Sequence, residues 1–397
     1  WLLSQRKINL DDPQTIVDVI CKEKIDLITA PYEKLIKKQN WSDKIAVYDE
    51  MKKLGLFLAI LCSLSLISCK KTITEMVKPE ASGGPYEVYF VMPSELRGSA
   101  LNDTLLEIYE YPMECTPNGD EYFKVHYLSP DNFKKQVISI VGNVVLIDID
   151  PSNASEPFVT IERDRYSKTQ VIVKMHAKTA ESLANYIPQI QEGLRRVFVN
   201  AELKRRIAIY EKESNHRQGD RLMEVLNVSM LIPEGIHVPG VGKSKDFFWV
   251  TDNGLAKESH LVVYSIPYTD QNVFSLEGAV AVRDSVMKAN IEGGTEGSYM
   301  TTNKNVVLPE YKALNIGGKY IGELRGMWRM ENGLMAGPFV CHIRLDEINK
   351  RVIFAEGFCY APNDGKRLLI RNLEAALYTL KLPSDNMMSE IEITLDE

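Results

Sequence analysis

Several features that are common in enzymes and nucleic-acid-binding proteins are scarce or missing in this sequence. Six cysteines among 397 residues are too few for a scaffold built on disulfides. The 47 basic and 54 acidic residues give a net charge of −7, which lacks the basic excess typical of nucleic-acid binding. The six histidines are scattered without metal-ligand spacing, and no phosphate-binding loop, strand-linked GxGxxG or GxSxG motif occurs. We therefore expect no nucleic-acid partner, no metal and no cofactor, and the motifs favour a non-catalytic protein without deciding the matter.

The longest apolar run has the parts of a bacterial lipoprotein signal peptide in the right order. Two lysines follow Met51, and residues 54–67 form an apolar stretch that is too short to span a bilayer comfortably. This stretch ends at Cys69 in a sequence that fits a lipobox. The alternative is a buried core helix that happens to follow a Met-Lys-Lys sequence. We expect residues 51–68 to be the signal peptide and Cys69 to become the lipidated N-terminus.

This interpretation divides the ends of the chain from its folded part. A signal peptide works at an N-terminus, so residues 1–50 are interpreted as an upstream extension that is not native to the protein. Residues 69–85 are rich in small and polar residues and predict a flexible tether. Lysines rather than acidic residues follow Cys69, which favours an outer-membrane anchor facing the periplasm. Residues 383–397 form an acidic tail.

The rest of the chain predicts an α+β fold in two domains. Short apolar strands and amphipathic helices occur on both sides of a polar break at residues 214–220, which separates domains at 86–214 and 221–382. Each domain is expected to contain a mainly antiparallel sheet with helices packed on one face. Within the second domain we expect a strand at Glu224–Ile232 and a last helix capped by Asp364.

The hairpin near the end of the second domain predicts a register. If its turn centres on residues 348–349, Cys341 lies opposite Glu356, and Cys359 falls three residues away on the other face. This geometry does not fit a disulfide between the two cysteines. We expect Cys115, Cys341 and Cys359 to be free and mostly buried thiols.

Arg283 is the first candidate functional residue. At 100° per residue it falls in the centre of the apolar face of its helix, where an unpaired charge is costly. The hairpin register places Glu356 in an apolar row of the neighbouring sheet. We expect Arg283 and Glu356 to pair directly or to line one polar pocket, as a structural ion pair or as a ligand site. Ser298 and Tyr299 are further candidates for such a pocket, with Ser298 a weakly supported nucleophile.

Two groups of charged residues are candidates for a partner surface. On the strand around Trp328 we place the tryptophan in the core and Arg325 and Arg329 on the opposite face, which is interpreted as a wet face or an anion-binding one. The last helix carries a second stripe. It contains Arg367, Arg371 and Glu374. This stripe is either solvated or paired within the chain, or it is a surface for a partner.

Several segments resemble an uncharacterised Bacteroidota lipoprotein family that carries a domain-of-unknown-function label. The segments are ERDRYSKTQ at 162–170, RDSV at 283–286, EGSYM at 296–300, ELRGMW at 323–328, AGPFV at 336–340 and EGFCYAPNDGKR at 356–367. The resemblance covers about residues 51–382 and implies a start at Met51, but it implies no reaction and no catalytic residues. Residues Leu231–Ile291 are also loosely similar to PsbP/Mog1-like antiparallel α+β domains.

Two functions from different classes are compatible with these observations. The first is a non-catalytic lipoprotein of the cell envelope, held at the membrane through Cys69, that binds an envelope protein or a glycan in the periplasm. The alternative is a lipid-anchored envelope hydrolase that uses a cleft between the two domains. A concave pocket gathering Arg283, Glu356, Ser298 or Tyr299 with a strongly shifted titratable group would favour the hydrolase.

Overall fold

A computed structural model describes residues 78–116, 119–135 and 138–387. The upstream extension, the signal peptide, Cys69 and residues 388–397 of the acidic tail lie outside the described residues. The described residues from Pro79 to Met387 form one compact unit that contains two sheets. The α+β class is confirmed.

The first sheet is formed by residues 87–177 and has the strand order β2-β1-β3-β5-β4. Its strands are β1 (Glu87–Val91), β2 (Lys124–Leu128), β3 (Asn143–Ile149), β4 (Phe158–Arg163) and β5 (Val171–Ala177). Taken over both sheets, most strand pairs are antiparallel, as expected. The first sheet by itself differs from the prediction, since β1 pairs in parallel with β2 and β3, and β3 pairs in parallel with β5. Only the pair between β4 and β5 is antiparallel.

Long connections explain the parallel pairs. Helix α1 (Ala100–Tyr109) lies between β1 and β2, and a parallel pair needs a crossover of a dozen or more residues, usually helical. Strand periodicity identifies the strands but does not give their direction. The segment between Val91 and Lys124 is long and has a helical pattern, and these two features predict that β1 and β2 pair in parallel.

Helix α2 (Pro130–Phe133) is a single turn between β2 and β3. Three longer helices follow the first sheet, which are α3 (Ala180–Tyr186), α4 (Gln191–Lys212) and α5 (His216–Leu226). A 3₁₀ turn at Ile187–Gln189 separates α3 from α4, because Pro188 has no N–H for the helical ladder.

Helix α5 corrects one sequence prediction. The polar residues at 214–220 contain the start of this helix, whose first turn is capped when the Asn215 side chain accepts a hydrogen bond from Gln218 N–H at 3.2 Å. The helix also replaces the first part of the strand expected at Glu224–Ile232. Buried Gln218, Leu222 and Leu226 recur every four residues, which is the helical spacing that the strand interpretation overlooked.

The second sheet is antiparallel throughout and has the order β10-β11-β12-β13-β8-β7-β6, with β9 pairing with β11. Its strands are β6 (Val238–Pro239), β7 (Phe247–Thr251), β8 (Glu258–Pro267), β9 (Tyr299–Thr302), β10 (Glu310–Ile316), β11 (Lys319–Glu331), β12 (Ala336–Asp346) and β13 (Arg351–Tyr360). Two helices accompany this sheet. They are α6 (Leu276–Asn290) and α7 (Arg367–Leu377). The predicted register is present, with Cys341 opposite Glu356.

One apolar core runs through both halves of the chain. It contains Phe90 of β1, Phe198 of α4, Leu222 of α5, Leu373 of α7 and Val263 of β8. Helix α6 packs on the other face of the second sheet in a separate core. The three described cysteines are buried free thiols, as expected. Every helix within the described residues is too short or too polar to span a membrane.

The N-terminus of α7 is capped from the first half of the chain. Asp120 Oδ2 accepts hydrogen bonds from the backbone N–H groups of Lys366 at 2.6 Å and Arg367 at 3.1 Å. Asp364, the cap expected from the sequence, instead accepts from Gly365 N–H and faces Lys257. A carboxylate 246 positions earlier in the chain therefore satisfies the free N–H groups of this helix.

We predict that Asp120→Ala lowers the free energy of unfolding by about 1 kcal/mol, because two N–H groups of α7 lose their acceptor. Urea denaturation measures the effect. Asp364→Ala is the matched control and should have the smaller effect, since its carboxylate is exposed and caps no described helix. Equal losses in the two variants would contradict the long-range cap.

Candidate functional site

The structure brings the first two candidate residues together as a direct pair. Arg283 on α6 donates from Nε to Glu356 Oε2 at 2.8 Å and from Nη2 to Glu356 Oε1 at 2.6 Å. This two-pronged geometry is the strong form of an arginine–carboxylate contact. Both side chains are 0% exposed. The pair therefore has no exposed atom to offer a ligand.

The surroundings complete the coordination of Arg283. Its Nη1 donates to Thr302 Oγ1 at 3.0 Å, and the Thr302 hydroxyl donates to Asp284 Oδ1 at 2.6 Å. The guanidinium carbon lies 3.8 Å from the centre of the Phe339 ring. Burial raises the pKa of Glu356, against the opposing effect of Arg283. These contacts describe a buried pair that holds α6 against the second sheet.

Ser298 and Tyr299 follow Arg283 along the chain but do not join its pair with Glu356. Ser298 is buried just before β9, and its hydroxyl makes no hydrogen bond to a histidine among the described residues. Tyr299 packs against Lys288, whose Nζ lies 4.2 Å from the ring centre. The residues of β9 that reach Arg283 are Met300 and Thr302. The arrangement gives Ser298 none of the partners that activate a nucleophile.

The structure corrects the wet or anion-binding face that we expected at Arg325. Arg325 is buried and donates from Nε to Glu323 at 2.7 Å, and its Nη2 also donates to Glu374 of α7. Arg371 donates to the same Glu374 at 2.7 Å. We call Glu323, Arg325, Arg371 and Glu374 the buried charge cluster. Its two arginines and two glutamates balance in charge.

Burial also corrects the proposed partner surface on the last helix. Arg371 and Glu374 belong to the buried charge cluster, so the stripe is paired within the chain. Arg367 is half-buried and donates to the backbone oxygen of Glu121 at 3.1 Å. Arg329 is also half-buried and pairs with Glu331 on its own strand. Strand alternation placed Arg325 on the correct face of β11. The expectation that this face is open is wrong, because helix α7 covers it.

A cavity of about 230 Å³ opens elsewhere, beside the N-terminal ends of β1 and β3. Its wall comes from three places, which are the loop before β1, the start of β3 and one side of α4. The lining residues are Ala81, Ser82, Gly83, Gly84, Pro85, Tyr86, Glu87, Tyr89, Gly142, Asn143, Glu202, Arg205, Arg206 and Ile209. We call this cavity the β1 pocket. It contains none of the residues selected from the sequence.

The loop before β1 corrects the predicted tether. Residues 69–77 of that tether lie outside the described residues, but the rest is held in place. Ser82 N–H donates to the Ile140 carbonyl at 2.9 Å, and Gly142 N–H donates to the Ser82 carbonyl at 2.9 Å. Lys168 N–H donates to the Pro79 carbonyl at 2.8 Å. Small polar residues occur both in linkers and in loops that line a cavity, so composition alone did not separate the two.

An ion pair between Glu202 and Arg205 forms one wall of the β1 pocket. Glu202 is buried and accepts from Arg205 Nη1 at 2.6 Å and from Asn143 Nδ2 at 2.6 Å. Arg205 also donates to backbone oxygens of Gly142 and Thr169. Glu202, Arg205 and Asn143 thus satisfy one another's hydrogen-bonding groups. This wall therefore fixes the shape of the pocket and contributes no net charge.

A second carboxylate in the pocket is also occupied. Glu87 Oε2 accepts from Gly84 N–H at 2.8 Å and from the Tyr89 hydroxyl at 2.9 Å, and Oε1 lies 3.3 Å from His126 Nε2. Although partial burial acts to raise it, these hydrogen bonds hold the pKa of Glu87 below its ordinary value. Glu87 thus remains ionised with most of its acceptor positions filled.

Tyr86 is the unusual residue of the pocket. Its φ of +58° lies in the left-handed region that a bulky residue rarely adopts. Its side chain is buried, and its hydroxyl has no hydrogen-bond partner among the described residues. Burial raises the pKa of Tyr86 well above its ordinary range, so the hydroxyl stays protonated and able to donate. Backbone strain of this kind is concentrated at functional sites.

Arg206 supplies an unused donor at the pocket. It is half-buried on α4, lines the pocket, and makes no hydrogen bond or ion pair within the described residues. Its neighbour Arg205 is fully engaged, which leaves Arg206 as the cation of the pocket without a partner. Within the described part of the chain, no group of three or more histidine, cysteine or acidic side chains could hold a metal ion.

Two family models match the chain. The model described as Domain of unknown function (DUF8532) matches residues 81–211, and the model described as Domain of unknown function (DUF4837) matches residues 214–379. No curated protein matches the chain. Residues 81–211 and 214–379 are therefore similar to two families of unknown function, which agrees with the domain-of-unknown-function label of the sequence resemblance. These matches assign it no ligand and no reaction.

We predict opposite effects for breaking and for replacing the pair between Arg283 and Glu356. Glu356→Leu leaves Arg283 buried without its main partner and should lower the free energy of unfolding by about 3–5 kcal/mol. The double variant Arg283→Met, Glu356→Leu removes both charges and should recover most of that loss. Urea denaturation of the three proteins measures both effects. A double variant as unstable as the single one would show that the pair does more than satisfy its own charges.

Proposed function

We propose that this protein is a lipid-anchored, non-catalytic binding protein of the cell envelope and that its ligand occupies the β1 pocket. The observation that carries the binding role is the pocket itself, which combines a fixed polar wall with a cation that has no partner among the described residues, Arg206. A guanidinium that lines a cavity without a partner is a position for an acceptor atom of a ligand. At about 230 Å³ the pocket is below the size that drug-sized ligands need.

The anchoring part of the proposal rests on the sequence. A positively charged start, a short apolar run and a lipobox-like ending occur in order over residues 51–69. In this proposal the lipid on Cys69 holds the protein at the outer membrane, with the folded part in the periplasm. The ligand then belongs to the envelope, as a small molecule or as the end of a glycan or protein.

We predict that the mature protein, expressed in a bacterium with a lipoprotein pathway, begins at Cys69 and carries lipid. Mass spectrometry of the N-terminal peptide measures both properties. Cys69→Ser should leave the signal peptide uncleaved and the protein without lipid. Cys62→Ser, which changes a cysteine within the apolar run, is the matched control and should be processed normally. Normal processing of the Cys69→Ser variant would refute the anchor.

We predict that filling the pocket abolishes ligand binding. Ile209 lines the pocket and is 41% exposed, so Ile209→Trp should occupy the cavity at little cost in stability. Small molecules released from protein purified from its own envelope are identified by mass spectrometry. A compound should accompany the wild-type protein and be lost from Ile209→Trp.

The matched control is Ile161→Trp, a similarly exposed isoleucine on β4 that does not line the pocket. It should retain the compound at the wild-type level. If no compound distinguishes Ile209→Trp from Ile161→Trp, the pocket is not the binding site.

A further inference from the structure

We propose that two hairpin tips at one end of the second sheet insert into the surface of a lipid bilayer. The first tip is residues 252–257, between β7 and β8, and the second is residues 332–335, between β11 and β12. We call them the leucine tips. Leu255 and Leu334 are the two most exposed large apolar side chains within the described residues, and both are fully exposed. Their insertion relies on the proposed anchor at Cys69 to bring a membrane near.

The leucine tips share a sequence that the turn alone does not explain. Residues 252–255 read Asp-Asn-Gly-Leu, and residues 331–334 read Glu-Asn-Gly-Leu. The backbone is left-handed at both asparagines, with φ of +50° at Asn253 and +57° at Asn332. A Cβ on the glycine that follows would clash with its surroundings in both tips. The turn geometry thus accounts for the asparagine and the glycine, but it does not require a leucine in water.

Both tips lie at the same end of the sheet. In the order β11-β12-β13-β8-β7, three strand spacings separate their centres, which is about 14 Å. The last residue of β13, Tyr360, lies opposite Glu258 at the start of β8. On its other side, the same end of β13 lies beside the first residues of β12. Two fully exposed leucines therefore stand side by side at one edge of the molecule.

The leucine tips offer apolar surface rather than free charge. Lys257 Nζ lies 3.3 Å from Asp364 Oδ2, and Arg329 pairs with Glu331. Asp252 accepts hydrogen bonds from two backbone N–H groups of its own hairpin. These charges are paired or occupied by hydrogen bonds, so they give little attraction to an anionic lipid. The leucines gain free energy when they leave water for an apolar phase.

The shape of the tips favours a bilayer over a protein. The leucines project from convex turns, and a protein partner would need two separate cavities to receive them. The boundary between headgroups and acyl chains receives apolar side chains without any matching shape. Two small apolar tips therefore suit shallow insertion into a bilayer.

The start of the folded part lies near the same end of the sheet. Lys257 of the first tip pairs with Asp364, which precedes the start of α7. Asp120 caps α7 at that point. Four residues after Asp120, Lys124 N–H donates to the Tyr86 carbonyl at 2.9 Å, just before β1. A short series of contacts thus joins the first tip to the loop that precedes β1.

The anchor supplies the apolar phase. Pro79, the first residue of the compact unit, follows Cys69 by 10 positions. A chain of that length reaches at most about 35 Å. A lipid on Cys69 therefore keeps the leucine tips within reach of the bilayer that holds it, and insertion of the tips would fix the orientation of the folded part on that bilayer.

The test places a fluorescent label at each tip of the lipidated protein. Leu255→Cys and Leu334→Cys are labelled separately with an environment-sensitive dye, since the three described cysteines are buried. The proteins are reconstituted into phosphatidylcholine vesicles that contain a nitroxide-labelled lipid. We expect blue-shifted emission and quenching by the nitroxide at both tips.

Val241→Cys is the matched control for the label. Val241 is highly exposed in the hairpin between β6 and β7, at the opposite end of the same sheet. A label at this position should keep the emission that it has in water and should escape quenching. Equal quenching at positions 241 and 334 would overturn insertion by the leucine tips, and so would the absence of quenching at both tips.

A second substitution tests whether the two tips act together. Leu255→Ser in the protein labelled at Leu334→Cys should lower the ratio of quenched to unquenched label about tenfold or more, because one leucine no longer enters the bilayer. Val241→Ser should leave the ratio unchanged. Both substitutions are at exposed side chains and should cost little stability. An unchanged ratio in Leu255→Ser would overturn joint insertion.

Two further outcomes separate the tips from the anchor and from a protein partner. A second preparation carries an N-terminal histidine tag in place of the lipidated Cys69 and is held by a nickel-chelating lipid. Quenching at the tips is expected in both preparations, and quenching in the tagged one alone would support the tips and contradict the anchor. A blue shift that grows with protein density, without nitroxide quenching, would show that a second copy covers the tips and would overturn their insertion.

Discussion

The buried charge cluster is the constraint on which the arrangement of the two sheets depends. An unpaired buried charge costs several kcal/mol, so Arg325 on β11 and Arg371 on α7 require Glu374 between them. This requirement fixes α7 across the second sheet in one position. The guanidinium of Arg371 also lies 4.8 Å from the centre of the Tyr122 ring, which belongs to the first half of the chain. Together with the cap from Asp120, these contacts hold the two halves in a single orientation.

The sequence predicted best where one element alone determines the answer. The pair between Arg283 and Glu356 followed from two local patterns, a charge in the middle of an apolar helical face and a hairpin whose turn sets its register. The apolar position of Trp328 followed in the same way from strand alternation. In these cases geometry within one helix or one hairpin already fixes which side chains face the core. The α+β class follows from the same local periodicities.

The predictions were wrong or incomplete where contacts with a distant part of the chain determine the local structure. Alternation placed Arg325 on the correct face of β11, but it cannot show that α7 covers that face. Asp364 lies two positions before the N-cap residue Lys366, and Asp120 takes the capping role because the tertiary fold brings it to the helix. Neither the direction of β1 to β3 nor the packing of residues 79–85 can be derived from local spacing. The β1 pocket is lined by the loop before β1, the start of β3 and one side of α4, which lie far apart in the sequence, and for that reason no candidate residue fell in it.

Tyr86 connects the pocket to the core, and this connection explains its strained backbone. Its peptide leads directly from the Gly83-Gly84-Pro85 loop of the pocket into β1, while its ring centre lies 5.6 Å from the guanidinium carbon of Arg371. A residue with an ordinary φ would continue the chain in another direction and would not place its ring beside that arginine. The contacts of the ring and the path of the loop together offset a cost of about 1–3 kcal/mol for the left-handed conformation.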